Sequence, residues 1–230
     1  MPRTKAVPSN GTTATAVAPI ALGVSIRPIQ EGLGHFRIKG TAPYMQCRFS
    51  QKAIHKIEET HKKGQQGRSR RTREARDFDD DYKQAMHLFE DGTCGIPAAS
   101  FRNALISCCR LVGFKMTIAK LSIFTMSDGL DIVDGQPLVR IEGRPEPNLM
   151  PVRNATGVID LRMRPIWREW AANLRIRFDM EQFSPDDVTN LLIRAGRQVG
   201  IGEGRPDSRD SNGLGYGLFD VEVQNGNANA

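Results

Sequence analysis

Two groups of glycines near the C-terminus constrain this chain more than any other feature. They are Gly200-Ile201-Gly202 and Gly213-Leu214-Gly215-Tyr216-Gly217, with Arg205 and Arg209 between them. Glycine at that density lets the backbone adopt φ > 0 and come close to a ligand, and arginine adds charge beside exposed N–H groups. The combination suits a phosphate chain. Before the loop, Ser184-Pro185-Asp186-Asp187 offers an N-cap, a proline at the first helical position and two acids in the first turn. Val188, Leu191, Leu192 and Ala195 follow at helical spacing. After the loop, Leu218, Phe219, Val221 and Val223 predict a short closing strand. Helix, glycine loop, strand is the reverse of the order that dinucleotide-binding and P-loop motifs require, so both are excluded.

The rest of the chain reads as short mixed elements. Phe36 and Ile38 alternate with Arg37 and Lys39 in a first strand ended by Gly40 and Pro43. Ser50 caps an expected helix running through Ala53, Ile54 and Ile57 to about Lys62. The clearest helix runs from Pro97 to Leu111, with Phe101, Ala104, Leu105, Cys108 and Val112 on one face and Gly113 as its stop. Residues 118–126 and 137–143 predict two strands paired across the turn between them. In 158–164 the apolar Ile159, Leu161 and Met163 oppose Asp160, Arg162 and Arg164, and in 174–178 Leu174, Ile176 and Phe178 oppose Arg175 and Arg177. Each predicts a strand with an oily face turned inward and a basic face turned outward. With Arg37 and Lys39 they predict a sheet covered by helices on one face and cationic on the other. The order indicates an α+β fold with a ferredoxin-like or RRM-like split βαβ core.

The net charge of +6 is concentrated. Lys62, Lys63, Arg68, Arg70, Arg71, Arg73 and Arg76 face one acid, Glu74, in a stretch with glycines at 64 and 67. Self-repulsion predicts a mobile basic insertion over residues 62–80, suited to a polyanionic backbone or simply to water. Residues 1–24 predict a disordered arm and 225–230 a polar tail, leaving 25–224 as one elaborated domain. No stretch approaches eighteen consecutive apolar residues, so no membrane association is expected. Cys47, Cys94, Cys108 and Cys109 lack metal-binding spacing and read as reduced thiols of a cytoplasmic protein.

Catalytic signals are sparse. His55 and His61 share one predicted helix but lie on different sides of it, and no triad spacing is visible. The Asp77, Asp79, Asp80, Asp81 run reads as a helix cap or a counterweight to the basic segment, with a metal site as the alternative. No metal, cofactor or enzymatic activity is expected. Tyr44, Trp167, Trp170 and Tyr216 are open to two readings, base stacking or burial under turns. The pattern as a whole predicts single-stranded nucleic-acid binding by phosphate contact. The expected contacts are Gly200, Gly202, Arg205, Arg209, Gly213, Gly215, Arg37, Lys39, Arg162, Arg164, Arg175 and Arg177, with Lys62, Lys63, Arg68, Arg70, Arg71 and Arg73 from the insertion.

The paired glycine groups, their basic spacer and their place before the last strand resemble the RAMP superfamily, the repeat-associated RNA-binding proteins of CRISPR systems. That family's signature is glycine, hydrophobic residue, glycine, a basic spacer, then the same triplet again. Gly200-Ile201-Gly202, Arg205, Arg209 and Gly213-Leu214-Gly215 supply it here, with a longer spacer. The resemblance is to the backbone subunits that polymerise along guide RNA. It implies backbone-directed binding of single-stranded RNA, and head-to-tail assembly as a homo-oligomer or within a multi-subunit ribonucleoprotein; a stand-alone relative from a phage or other mobile element would make single-stranded DNA the partner. Two alternatives stand beside it: a phage or virion assembly protein, and a RAMP-type endoribonuclease.

Overall fold

Short runs of alternating apolar residues, each cut by glycine, proline or an acid, divide this chain into many brief strands rather than a few long ones. The computed structural model describes residues 26–49, 51–63, 76–153, 159–208 and 214–222. The expected arm 1–24, the cap at Ser50, the insertion residues Arg68, Arg70, Arg71 and Arg73, the loop residues Arg209 and Gly213, and the tail 225–230 lie outside the described residues. The chain begins with strands β1 (Glu31–Gly40) and β2 (Tyr44–Met45) and helices α1 (Gln51–Lys63) and α2 (Phe78–Gln84). Strand β3 (Gly95–Pro97), α3 (Ala98–Cys108), α4 (Met116–Ser122), β4 (Ile123–Thr125), β5 (Gly129–Leu130) and β6 (Pro137–Arg140) follow. The long hairpin β7 (Glu146–Arg153) and β8 (Ile159–Trp167), then β9 (Ala171–Asp179), α5 (Pro185–Arg194) and β10 (Phe219–Glu222) complete it.

Among the described residues the fold is mixed α and β, with three antiparallel sheets. The largest has the order β10-β1-β9-β4, and the others are β2-β8-β7 and β3-β6-β5. On the large sheet the period-two pattern holds: Ile38 on β1 and Ala172, Leu174, Ile176 and Phe178 on β9 are buried. Helices α3 and α5 lie against that face. Phe101, Ala104, Leu105 and Cys108 of α3 and Val188, Leu191 and Leu192 of α5 join the same core. Helix α3 runs on through a tight turn, Cys109–Val112, and stops at Gly113 in the left-handed conformation, φ 71°. Helix α5 starts with a reciprocal capping box: the Asp187 amide donates to the Ser184 hydroxyl at 3.1 Å, and the Ser184 amide donates to the Asp187 carboxylate at 3.0 Å. Such a cap stabilises by about 1 kcal/mol. Asp77 caps α2 by accepting from the amides of Asp79 and Asp80. The acidic run is thus a helix start.

Two expected strands are corrected. Residues 116–122 form α4, because Ala119 and Ser122 are buried at helical spacing while Leu121 is 77% exposed. Strand β4 pairs with β9, and β6 pairs with β3 and β5, so 118–126 and 137–143 do not form a hairpin.

The facing of β8 is also corrected. Ile159 and Leu161 are exposed, whereas Arg164 is buried against Glu203, Nε to Oε2 2.8 Å. Asp160 receives Arg76 at 2.8 Å on the same side. Because α2 and the glycine loop bring ionic partners, the polar row of this hairpin turns inward. Among the described residues no helix is long and apolar enough to cross a membrane.

Candidate nucleic-acid interface

The glycine loop begins where α5 passes through a wide turn, Ala195–Val199, into Gly200 at φ 71°. Gly202, Gly204, Gly215 and Gly217 also have positive φ, between 68° and 80°. Much of this freedom serves closure of the loop on the protein itself. The Ile201 amide donates to Gly217 at 3.0 Å, Glu203 to Met45 at 2.9 Å, Tyr216 to Gly204 at 3.1 Å and Gly217 to Pro43 at 2.7 Å. A Cβ on Gly217 would overlap the Ile201 carbonyl, and one on Gly202 would come within 2.5 Å of the Met45 carbonyl. These amides are therefore committed. At Gly215 a Cβ would meet nothing, so that stretch of backbone stands open.

The loop walls a cavity of about 760 Å³, whose other sides are α3, α4 and the chain after β2. Helix α3 turns its apolar face to the core and presents Ser100, Asn103 and Ser107 to the cavity, positions spaced to share one side of a helix. Lys120 of α4 and Arg205 of the loop bring positive charge, and the Arg205 guanidinium is steadied by a bond to the Gly202 carbonyl at 3.0 Å. Two acids line the same space, but both are engaged. Glu203 holds Arg164, and Asp207 accepts from the Ser107 hydroxyl and binds Arg110 at 2.5 Å. Burial pushes the Asp207 carboxyl up, yet Ser107 and Arg110 pull harder and leave it below its ordinary value. With the acids Glu203 and Asp207 neutralised by Arg164 and Arg110, Lys120 and Arg205 leave the cavity a net cation.

A buried polar network closes the floor. Gln46 donates to the Gly95 carbonyl at 2.8 Å and accepts from the His87 amide at 3.0 Å. The His87 ring reaches Asp131, Nδ1 to Oδ2 2.8 Å, and Arg48 reaches the other oxygen of that carboxylate at 3.3 Å and Asp134 at 3.5 Å. His87, Asp131 and Asp134 are close enough together to suggest a metal. The Arg48 guanidinium already supplies the positive charge between the two carboxylates, so the cluster reads as an ionic network.

The expected open cationic sheet face is corrected. On its outward side Arg37, Lys39, Arg175 and Arg177 are interleaved with Glu31, Asp179, Asp220 and Glu222. Arg37 is clamped by Glu142, Arg175 meets Asp128 at 3.0 Å, and Arg177 meets Glu31 at 3.0 Å. Arg162 lies 3.5 Å from Asp160. The sheet is charge-balanced because alternation reports which residues share a face, not which acids cross-strand register delivers beside them. Lys39 and Lys62 are exposed.

Tyr44, Trp167 and Trp170 are all in the core, with the Tyr44 ring 5.5 Å from Trp167 and 5.6 Å from Trp170. Of the aromatic candidates only Tyr216 retains partial exposure. His55 and His61 are exposed on α1 and are not among the residues that line the cavity; the histidine that lines it is His87. Sequence reasoning missed His87, Lys120, Gly204 and the α3 polar row. Only the spacing of Ser100, Asn103 and Ser107 could have signalled it. Comparison with protein-family models finds no match for this chain, and comparison with curated proteins likewise finds none.

Proposed function

We propose that the chain is a single-stranded nucleic-acid-binding protein, RNA favoured, whose strand lies in the groove between the glycine loop and α3. The carrying observation is the cavity itself. It combines two cations, Lys120 and Arg205, with small hydroxyl and amide donors. Phosphate–sugar backbones are held by that set of groups. The contact moves from the sheet face to the loop side.

The strand order supports the finer reading of the fold. Taking β1, β4, β9 and β10 as the four strands of one unit, α3 falls between the first two and α5 between the last two. Their spatial order is then fourth, first, third, second, with neighbours antiparallel. That is the split β-α-β arrangement expected of a ferredoxin-like core. The loop that completes the second half carries the RAMP-like glycine pattern, which makes a RAMP-like mode of backbone binding the reading we adopt, without catalysis.

Head-to-tail assembly along the strand is part of the same proposal. Leu149, Ile159 and Leu161 are 49%, 63% and 49% exposed on one face of the β7–β8 hairpin, where an apolar row invites a second copy. The same row favours the second reading, a phage or virion assembly protein without nucleic acid. Oligomers that survive nuclease treatment would favour that second reading. Binding is tested with a labelled single strand across a range of salt. Arg205→Ala and Lys120→Ala should each reduce the salt slope by about 0.7. Unchanged slopes in both would remove the groove from the site.

A further inference from the structure

Resting on that nucleic-acid reading, we propose that His87 touches the bound strand, accepting a hydrogen bond from a ribose 2′-hydroxyl at Nε2, so that the cavity selects RNA over DNA. His87 follows α2 and is 6% exposed. Its Nδ1 faces Asp131, whose carboxylate is fully buried and fixed from several sides. The Val133 amide donates to that carboxylate at 2.8 Å, the Asp134 amide at 3.3 Å, and Arg48 adds its charge. Burial pushes the Asp131 carboxyl up, but these donors together with His87 leave it below its ordinary value. It is therefore ionised and only accepts. Facing an acceptor, Nδ1 carries a proton, and in that tautomer of the imidazole the lone pair lies on Nε2.

That lone pair is not used within the protein. Nε2 has no hydrogen-bond partner among the described residues, and it is not among the unpaired side-chain atoms sealed from solvent. The space His87 lines is the cavity under the glycine loop. Around the same cavity Lys120, Arg205, Ser100 and Asn103 offer donors, which serve phosphate oxygens. An imidazole lone pair repels a phosphate oxygen and needs a donor instead. In a polynucleotide backbone the 2′-hydroxyl is the donor, and DNA lacks it. Because Asp131 and Arg48 fix the ring before binding, the contact costs little ordering.

The test uses the full chain and a fluorescent single strand of one base sequence made in ribose and in deoxyribose form, at fixed salt. Wild type should bind the ribose form about five- to tenfold more tightly, the size of one neutral hydrogen bond. His87→Phe should bring that ratio to about one, with RNA affinity falling more than DNA affinity. A ratio that persists in His87→Phe overturns the contact. Should that variant fail to fold, the imidazole ¹⁵N spectrum of wild type decides. The Nε2 resonance should move on adding RNA and not on adding DNA, and equal movement with both overturns the proposal. If wild type binds neither polymer, the nucleic-acid reading itself fails, and the His87 contact with it.

Discussion

Gly215 and Gly217 separate the two uses of glycine in this loop. Their φ values are nearly equal, 68° and 69°, so an alanine at either bears the same left-handed strain. That strain is about 1–2 kcal/mol, and the stiffer unfolded chain returns about 0.4–1 kcal/mol, so Gly215→Ala should cost about 1 kcal/mol. At Gly217 the new methyl also runs into the Ile201 carbonyl, which is backbone and cannot rotate away. Relieving that overlap breaks the bond from the Ile201 amide at 3.0 Å and disturbs the bond to Pro43 at 2.7 Å. Each buried group left unpaired costs about 1–3 kcal/mol, so Gly217→Ala should cost about 3–5 kcal/mol in all. Urea unfolding at constant m-value measures both. Affinity for a single strand should be little changed in Gly215→Ala, since Gly215 does not line the groove. Equal costs at the two positions would refute the assignment of Gly217 to loop closure.

Arg164→Ala should lower stability by about 2–3 kcal/mol and weaken binding of a single strand, since it leaves the Glu203 carboxylate without its partner in the groove. The Asp131 carboxyl lies below its ordinary value of 3.8, so its contribution is present above that pH and lost as pH falls through the lower folded value. Acid unfolding of wild type should steepen below about pH 4 and flatten in Asp131→Asn, as a chemical-denaturation series at several pH values would show. The Cys47 thiol, which is exposed at the cavity wall, is pushed up to about 11 by the crowding of surrounding chain and by nearby Glu203, against the pull of Arg164. Its alkylation should be slow at pH 7.5, quicken towards pH 10, and slow further when a single strand occupies the groove, as peptide mass analysis would reveal.

Much of the fold was legible because local signals agreed. Ser184, Pro185 and Asp187 fixed the start of α5, the α3 stripe fixed its core face, and Leu174, Ile176 and Phe178 fixed the inward side of β9. Where the sequence misled, the reason is a partner distant along the chain. Ile159 and Leu161 alternate as cleanly as the β9 residues, yet Arg76 and Glu203 bind the polar row of β8 and leave the apolar row in water. Alternation defines two faces and is silent on which is covered. The same limit hid the site. Nothing local tells that Glu142, more than a hundred residues from Arg37, takes that guanidinium, or that Asp131 fixes the ring of His87. Gly202 looked like a ligand position because close approach to a carbonyl and close approach to a phosphate demand the same residue.

The location of the strand is the claim on which the rest depends. Photo-crosslinking a single strand carrying 4-thiouridine at several positions, followed by peptide mapping, reads that location directly. The account predicts adducts in the α3 stretch around Asn103, at Lys120 and in residues 199–208. Adducts concentrated on β1 and β9, at Arg37, Arg175 and Arg177, would contradict it.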